Sequence, residues 1–288
     1  MNIKAEHLCL KYGTFEALKD VNFAISENKI YGLLGRNGAG KTSLLSLIAS
    51  FRKPTSGSLT VNGEAPFENA KIMENVIFLS SKNYEQESST IVHILKDVAR
   101  YRPNFDKEYA DYLIDRFKID RKKAVKKFSK GMQSAVKVII GLTSRVPVTI
   151  FDEVYLGMDA PSREIFYKEL LEEQARHPRI FILSTHLVSE MDYLFDEVLI
   201  LKKGSLLLQE PYDELVSKGA TITGKAELVD AFIRGKKVLN TETLGNTKAA
   251  TIFGRLSGQE IRKAKEASLE IAPVKLQDLF IHLTEEEG

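Results

Sequence analysis

Eight consecutive residues near the amino terminus, Gly35, Arg36, Asn37, Gly38, Ala39, Gly40, Lys41 and Thr42, limit what this chain can fold into more than any other stretch. They lie between an apolar run of strand length, residues 29–35, and a segment, 41–51, whose Leu44, Leu45, Leu47 and Ile48 recur at helical spacing before Pro54 stops it. A strand, a glycine loop and a helix in direct succession are the context that gives this spacing a meaning. Glycines let the backbone wrap closely enough for its N–H groups to point at phosphates, and the start of the helix adds the positive end of a dipole. Lys41 is then expected to bridge the β and γ phosphates of a nucleotide, and Thr42 to offer its hydroxyl to magnesium, with Ser43 beside it as a helix-start residue. A plain glycine turn between strand and helix asks for neither the lysine nor the threonine.

A second cluster complements the first. Residues 148–153 read as an apolar strand ending in Asp152 and Glu153. Successive side chains at a strand end point to opposite faces, so Asp152 is expected to hold magnesium and Glu153 to face the γ-phosphate and polarise the attacking water. Acidic residues after a strand are by themselves only a solvated loop; the phosphate loop makes the catalytic reading the better one. His186 follows another apolar run, 180–184, where it can hydrogen-bond the γ-phosphate. His7, His93, His177 and His282 have no such place and read as structural.

The rest of the pattern supplies the frame. Residues 3–25 alternate apolar and polar about Tyr12-Gly13, as antiparallel edge strands do, and a short strand is expected over 75–79. Residues 91–127 read as charged helices broken at Arg102-Pro103-Asn104. A helix over 162–175 separates the strands at 146–151 and 180–184, an alternation that implies a parallel sheet covered by helices on both faces. After Gly204, Pro211 and Gly219 punctuate the chain, and short strands at 237–239, 251–255 and 269–271 precede a helix at 276–283. Leu256-Ser257-Gly258-Gln259 reads as a helix cap.

Composition excludes several classes. Among 288 residues the formal net charge is +2, so there is no general field for nucleic acid, and no nucleic-acid partner is expected. The one cysteine, Cys9, cannot form an intramolecular disulfide and fits a reducing cytosol. The amino terminus lacks the apolar core of a signal peptide, and no run approaches the roughly 20 apolar residues that span a bilayer. A membrane role would depend on a partner.

Over residues 1–218 the order of these motifs resembles the nucleotide-binding domain of the ATP-binding cassette (ABC) transporter family, and the wording around residues 101–106 and 127–132 resembles its bacterial exporter branch for drugs, antibiotics or peptides. The resemblance implies an α/β fold, a P-loop NTPase of ABC type, with a mixed sheet core, an antiparallel β edge and a helical subdomain at about 88–145. A small C-terminal α/β domain, 219–288, would regulate or stabilise a dimer, or simply cover one face of the larger domain. It further implies an ATPase that uses ATP and Mg2+, peripheral on the cytoplasmic side of the membrane. Its partners would be a second nucleotide-binding subunit, in a homodimer or heterodimer, and separate transmembrane permease subunits. A soluble cassette ATPase not coupled to transport and a weakly hydrolysing nucleotide sensor are the alternatives. Ser129 and Gly131, in Phe128-Ser129-Lys130-Gly131-Met132-Gln133, stand in the place of the signature that closes over ATP held by the other subunit, with Lys130 replacing a commoner glycine. Tyr12 resembles the aromatic that stacks on adenine, and Asp159 the loop that touches the opposite phosphate loop. Val154-Tyr155 departs from the family's Pro-Thr after the glutamate. The largest departure is the glutamine loop: Ser81 occupies the place of the expected glutamine, with Gln86 a few residues late, so either residue could serve magnesium and slow hydrolysis is expected.

Overall fold

The computed structural model describes residues 1–82 and 84–285; residues 286–288 of the expected second domain lie outside the described residues. Alternation of buried and exposed positions makes β1 (Ile3–Tyr12) and β2 (Phe15–Ile25) an antiparallel pair turning at Gly13, whose φ of 60° suits glycine. The wholly buried β3 (Ile30–Leu34) leads into α1 (Lys41–Ile48), and β4 (Ser56–Val61) then pairs antiparallel with β1, giving a sheet of order β2-β1-β4. The sequence reading passed over β4, half of which is polar and exposed.

Helix α2 (Ala70–Asn75), capped by the Asn69 side chain, delivers the chain to β5 (Val76–Ser80). Two helices, α3 (Ile91–Tyr101) and α4 (Lys107–Arg116), follow on either side of Pro103, and Asp106 caps the second by accepting from the Tyr109 N–H at 2.8 Å. Helix α5 (Lys130–Thr143) is buried along most of its length and precedes the buried strand β6 (Val148–Asp152). Helix α6 (Ala160–Arg176) then separates β6 from β7 (Ile180–Thr185). After a four-residue helix, α7 (Val188–Met191), come β8 (Glu197–Lys202) and β9 (Ser205–Pro211).

The central sheet has the order β5-β6-β7-β3-β8-β9. Its first four strands run parallel, and in register Ser80 lies beside Asp152 and Asp152 beside Ser184, while Leu34 lies beside Thr185. Four carboxyl ends therefore stop on one line, which is where ligands gather in open α/β sheets. Beneath them Leu33, Leu44, Leu47, Ile150, Ile182 and Leu201 belong to one buried apolar cluster.

The remaining elements are α8 (Tyr212–Ser217), β10 (Gly219–Lys225), α9 (Ala226–Phe232), β11 (Lys237–Leu244), β12 (Thr247–Phe253), α10 (Gly258–Glu266), β13 (Glu270–Pro273) and α11 (Leu276–Thr284). The four strands form an antiparallel sheet of order β11-β12-β10-β13 around Ile222, Val229, Ala250, Ile252 and Ala264. Ser257 caps α10 in a capping box with Glu260. Two compact units result: residues 1–186 with 199–209, and residues 187–198 with those from 210 onward. Gly219 lies inside the second unit. Within that unit the Ser189 N–H donates to Gln277 Oε1 at 3.1 Å and the Tyr212 N–H to the Asp196 carbonyl at 3.0 Å, links between segments far apart in sequence.

Candidate nucleotide site

The loop between β3 and α1 holds its shape because two of its glycines occupy backbone that other residues avoid: φ is 79° at Gly38 and 106° at Gly40. A Cβ on Gly40 would stand 2.8 Å from the Ala17 carbonyl and 2.9 Å from a Leu18 methyl. Gly35 is as tight, with Ala39 Cβ 2.9 Å and the Leu201 carbonyl 3.0 Å from where its Cβ would be. Arg36, Asn37 and Ala39 complete the turn, the Ala39 N–H donating to the Arg36 carbonyl at 3.0 Å. Lys41 opens the helix only 5% exposed, and its ammonium folds back to donate to the Gly35 carbonyl at 2.7 Å.

Both carboxylates at the end of β6 meet this loop. Thr42 Oγ1 donates to Asp152 Oδ2 at 2.7 Å, and Ser184, from the end of β7, donates to Oδ1 at 2.5 Å. Burial raises the Asp152 pKa above its ordinary 3.8, and the two hydroxyls pull the other way. Glu153 turns off the strand with φ of 53°, which brings Oε1 to 3.3 Å from the Lys41 ammonium and 3.0 Å from His186 Nδ1. The two adjacent carboxylates thus divide between the threonine and the lysine of one loop.

Ser184 had no role in the sequence reading, since only the strand register places it beside Asp152. Tyr155 was noted there as a departure. Its buried hydroxyl lies 2.8 Å from Thr185 Oγ1 and accepts from the His186 N–H at 3.4 Å, so it braces the backbone that presents His186.

Tyr12 reaches the loop through its hydroxyl, 3.4 Å from Ser43 Oγ, and the Arg52 guanidinium sits 4.8 Å from its ring centre. Ser129, Gly131 and Asp159 form a separate group. Ser129 is exposed and caps α5 by accepting from the Met132 N–H at 3.2 Å; Asp159 caps α6 by accepting from the Ser162 N–H at 3.0 Å. A Cβ on Gly131 would lie 2.5 Å from the Gly157 carbonyl, and Ser134 donates to the Leu156 carbonyl at 3.0 Å, so the start of α5 packs on the turns between Glu153 and Asp159. Ser81 and Gln86 are both exposed, Ser81 immediately past the end of β5.

A glycine loop with no room for a Cβ at Gly35 or Gly40, at the amino end of a helix and beside a buried lysine, fits a nucleotide's phosphates. Comparison with known proteins agrees. The sequence profile of the family described as "ABC transporter" matches residues 18–155. The ABC transporter ATP-binding protein YtrB of Bacillus subtilis is 26% identical over 271 residues, 92% of each chain. The bacitracin transport ATP-binding protein BcrA of Bacillus licheniformis is 31% identical over 74% of this chain and 71% of its own. A solved ATP-binding subunit of an ABC transporter superposes with a TM-score of 0.67 at 22% identity, covering 75% of this chain and 92% of that one. The chain belongs to the ABC transporter ATP-binding proteins: it is an ATP-binding subunit of an ABC transporter, of a family of ATPases that work with transmembrane permease components. No helix of the described residues is long and apolar enough to cross a membrane.

Proposed function

We propose that this subunit powers export of a peptide, drug or antibiotic, by closing head to tail on a second nucleotide-binding subunit, of its own kind or another, at the cytoplasmic face of the membrane. The observation that carries this reading is the separation of the site into two groups. Lys41, Thr42, Asp152, Glu153 and His186 surround one end of the phosphate loop, while Ser129 stands exposed at the start of α5. A helix start bearing an exposed serine suits the γ-phosphate of a nucleotide held by another subunit. The export branch is supported by the motif wording and by the likeness to a bacitracin transport protein.

In this scheme residues 35–43 cradle the phosphates, and the open face of Tyr12 stacks on adenine while Arg52 holds the other. Lys41 exchanges the Gly35 carbonyl and Glu153 for the β and γ phosphates, which frees Glu153 to take a proton from water; His186 orients that carboxylate and contacts the γ-phosphate. The donor set fits Mg2+: a threonine hydroxyl and a carboxylate converge within 2.7 Å, and the burial that raises the Asp152 pKa leaves its charge to be balanced by a cation. Bound there, the ion would neutralise charge on the phosphates; Thr42 and Asp152 would be its ligands, and Ser81, immediately past the end of β5, takes the chain position of the family's glutamine. Asp159 and Gly131 complete the contact surface. The second unit regulates or steadies the dimer.

Gel filtration of Glu153→Gln with ATP and magnesium tests the closure. An ATP-dependent doubling of mass that Ser129→Arg abolishes is expected, and a monomer at every ATP concentration sinks the head-to-tail scheme. Export is tested by pairing the chain with its permease in vesicles: ATP-dependent accumulation inside inverted vesicles is expected, and depletion of their contents contradicts it.

A further inference from the structure

One face of α5 carries Gln133, Lys137 and Gly141 at intervals of four. Gly141 leaves room for the Phe151 ring and a Leu79 methyl, which would lie 2.5 and 2.7 Å from a Cβ placed there. Gln133 accepts the Tyr84 N–H at 2.8 Å and donates to the Phe128 carbonyl at 3.3 Å. Between them stands Lys137, 3% exposed, with its ammonium 5.5 Å from the centre of the Tyr84 ring. Among the described residues no carboxylate lies within ion-pair distance of it. Burial lowers its pKa to about 8, so in the folded protein the charge costs more than an apolar side chain would. A helix that only needed to fill space here would carry leucine or methionine.

The segment that Lys137 meets is already fastened to the approach to α5. The Lys126 N–H donates to the Glu87 carbonyl at 2.9 Å, the Val125 N–H to the Ser89 carbonyl at 3.0 Å, and Thr90 and Ala124 form an isolated bridge. Contacts therefore run from Thr90 back to Tyr84 along one side and from Ala124 forward to Lys137 along the other. Beyond Tyr84 the chain returns to Ser81 and to Ser80, the neighbour of Asp152 in the sheet.

We propose that Lys137 is a positioning residue that clamps the segment around Tyr84 to the α5 face, so that the chain leaving Ser81 and the helix start bearing Ser129 move as one piece. The clamp acts through a desolvated cation on an aromatic face, which is directional in a way that a methyl contact is not. Ser81 is too short to tie its own segment to the phosphates as a glutamine would. The fastening at Tyr84 then governs whether that segment is in place when the water attacks. The catalytic half of this inference rests on Ser129 acting in the head-to-tail scheme; the mechanical half does not.

The test compares Lys137→Met, Lys137→Arg and Tyr84→Leu with the wild type in the full chain, reading amide hydrogen exchange, thermal stability and ATP turnover. In Lys137→Met the unbranched apolar chain fills the same space. Exchange over residues 84–90 is expected to quicken about tenfold and kcat to fall severalfold, with KM for ATP within about twofold and melting temperature unchanged or raised. Tyr84→Leu should behave the same way, and Lys137→Arg should restore both exchange and kcat. Exchange in Lys137→Met equal to wild type overturns the clamp, as does failure of arginine to rescue. Quickened exchange with normal kcat overturns its link to catalysis. Should the head-to-tail scheme fail, Glu153→Gln stays monomeric while the exchange result in Lys137→Met still stands, so the two failures are told apart.

Discussion

Ser184→Ala isolates the hydroxyl that aims Asp152. The serine is buried and its Oγ donates at 2.5 Å to the carboxylate oxygen that Thr42 does not use. A hydrogen bond to a charged group contributes roughly 1.5–3 kcal/mol, and a buried acceptor stripped of its donor loses about that much. Denaturant unfolding near pH 7, free of nucleotide, should show a destabilisation of that size. The sign of its pH dependence follows from the bond. It favours the ionised form, so its contribution is present above the folded pKa of Asp152 and fades as pH falls through it. Burial sets that pKa above 3.8. The gap between wild type and variant should therefore be widest near neutral pH and narrow as pH falls through a range that lies above the ordinary carboxylate value. With ATP saturating, the magnesium concentration for half-maximal turnover should rise on the order of tenfold, the equivalent of about 1.4 kcal/mol. A variant as stable as wild type at neutral pH, or a gap that does not change with pH, refutes the role given to Ser184.

Gly40→Ala must place a Cβ against the Ala17 carbonyl at a φ of 106°; a loss of ~2–4 kcal/mol in unfolding free energy and of measurable ATP binding is expected by denaturation and by fluorescent-nucleotide titration. Tyr155→Phe removes the hydroxyl beside Thr185 and the His186 N–H, which should cost ~1–2 kcal/mol in stability and lower kcat severalfold with little change in KM. Ser81→Gln should raise turnover in a steady-state phosphate-release assay, because the longer amide can reach from the end of β5 where the hydroxyl cannot; unchanged kinetics would count against a Ser81-limited site.

Much of this was legible in the chain. The phosphate loop is contiguous and its glycines, lysine and threonine each meet a local demand, so their spacing alone marked the candidate loop and the helix that follows. The buried strands β3, β6 and β7 showed as short apolar runs for the same reason. Polar strands showed only in part: β10, with two glycines and two threonines, displays no clear period and was passed over, and of β11 only residues 237–239 were expected, its outer half being exposed. Ser184 and Tyr155 escaped because their partners come from other strands and turns, and such pairings depend on register. The boundary at Gly219 followed Pro and Gly punctuation, whereas Val188, Met191 and Leu194, buried in short helical turns, are too few to announce that their segment clusters with the second unit.

The central claim is that Glu153, held between Lys41 and His186, is the base for ATP hydrolysis in a site that binds nucleotide through residues 35–42. Phosphate release from ATP by purified wild type and Glu153→Gln, with nucleotide affinity measured on the same samples, tests it most directly. The account predicts that the variant binds ATP as tightly as wild type, within about threefold, and loses at least about a hundredfold in turnover. Turnover that survives the substitution, or is lost only together with ATP binding, would contradict it.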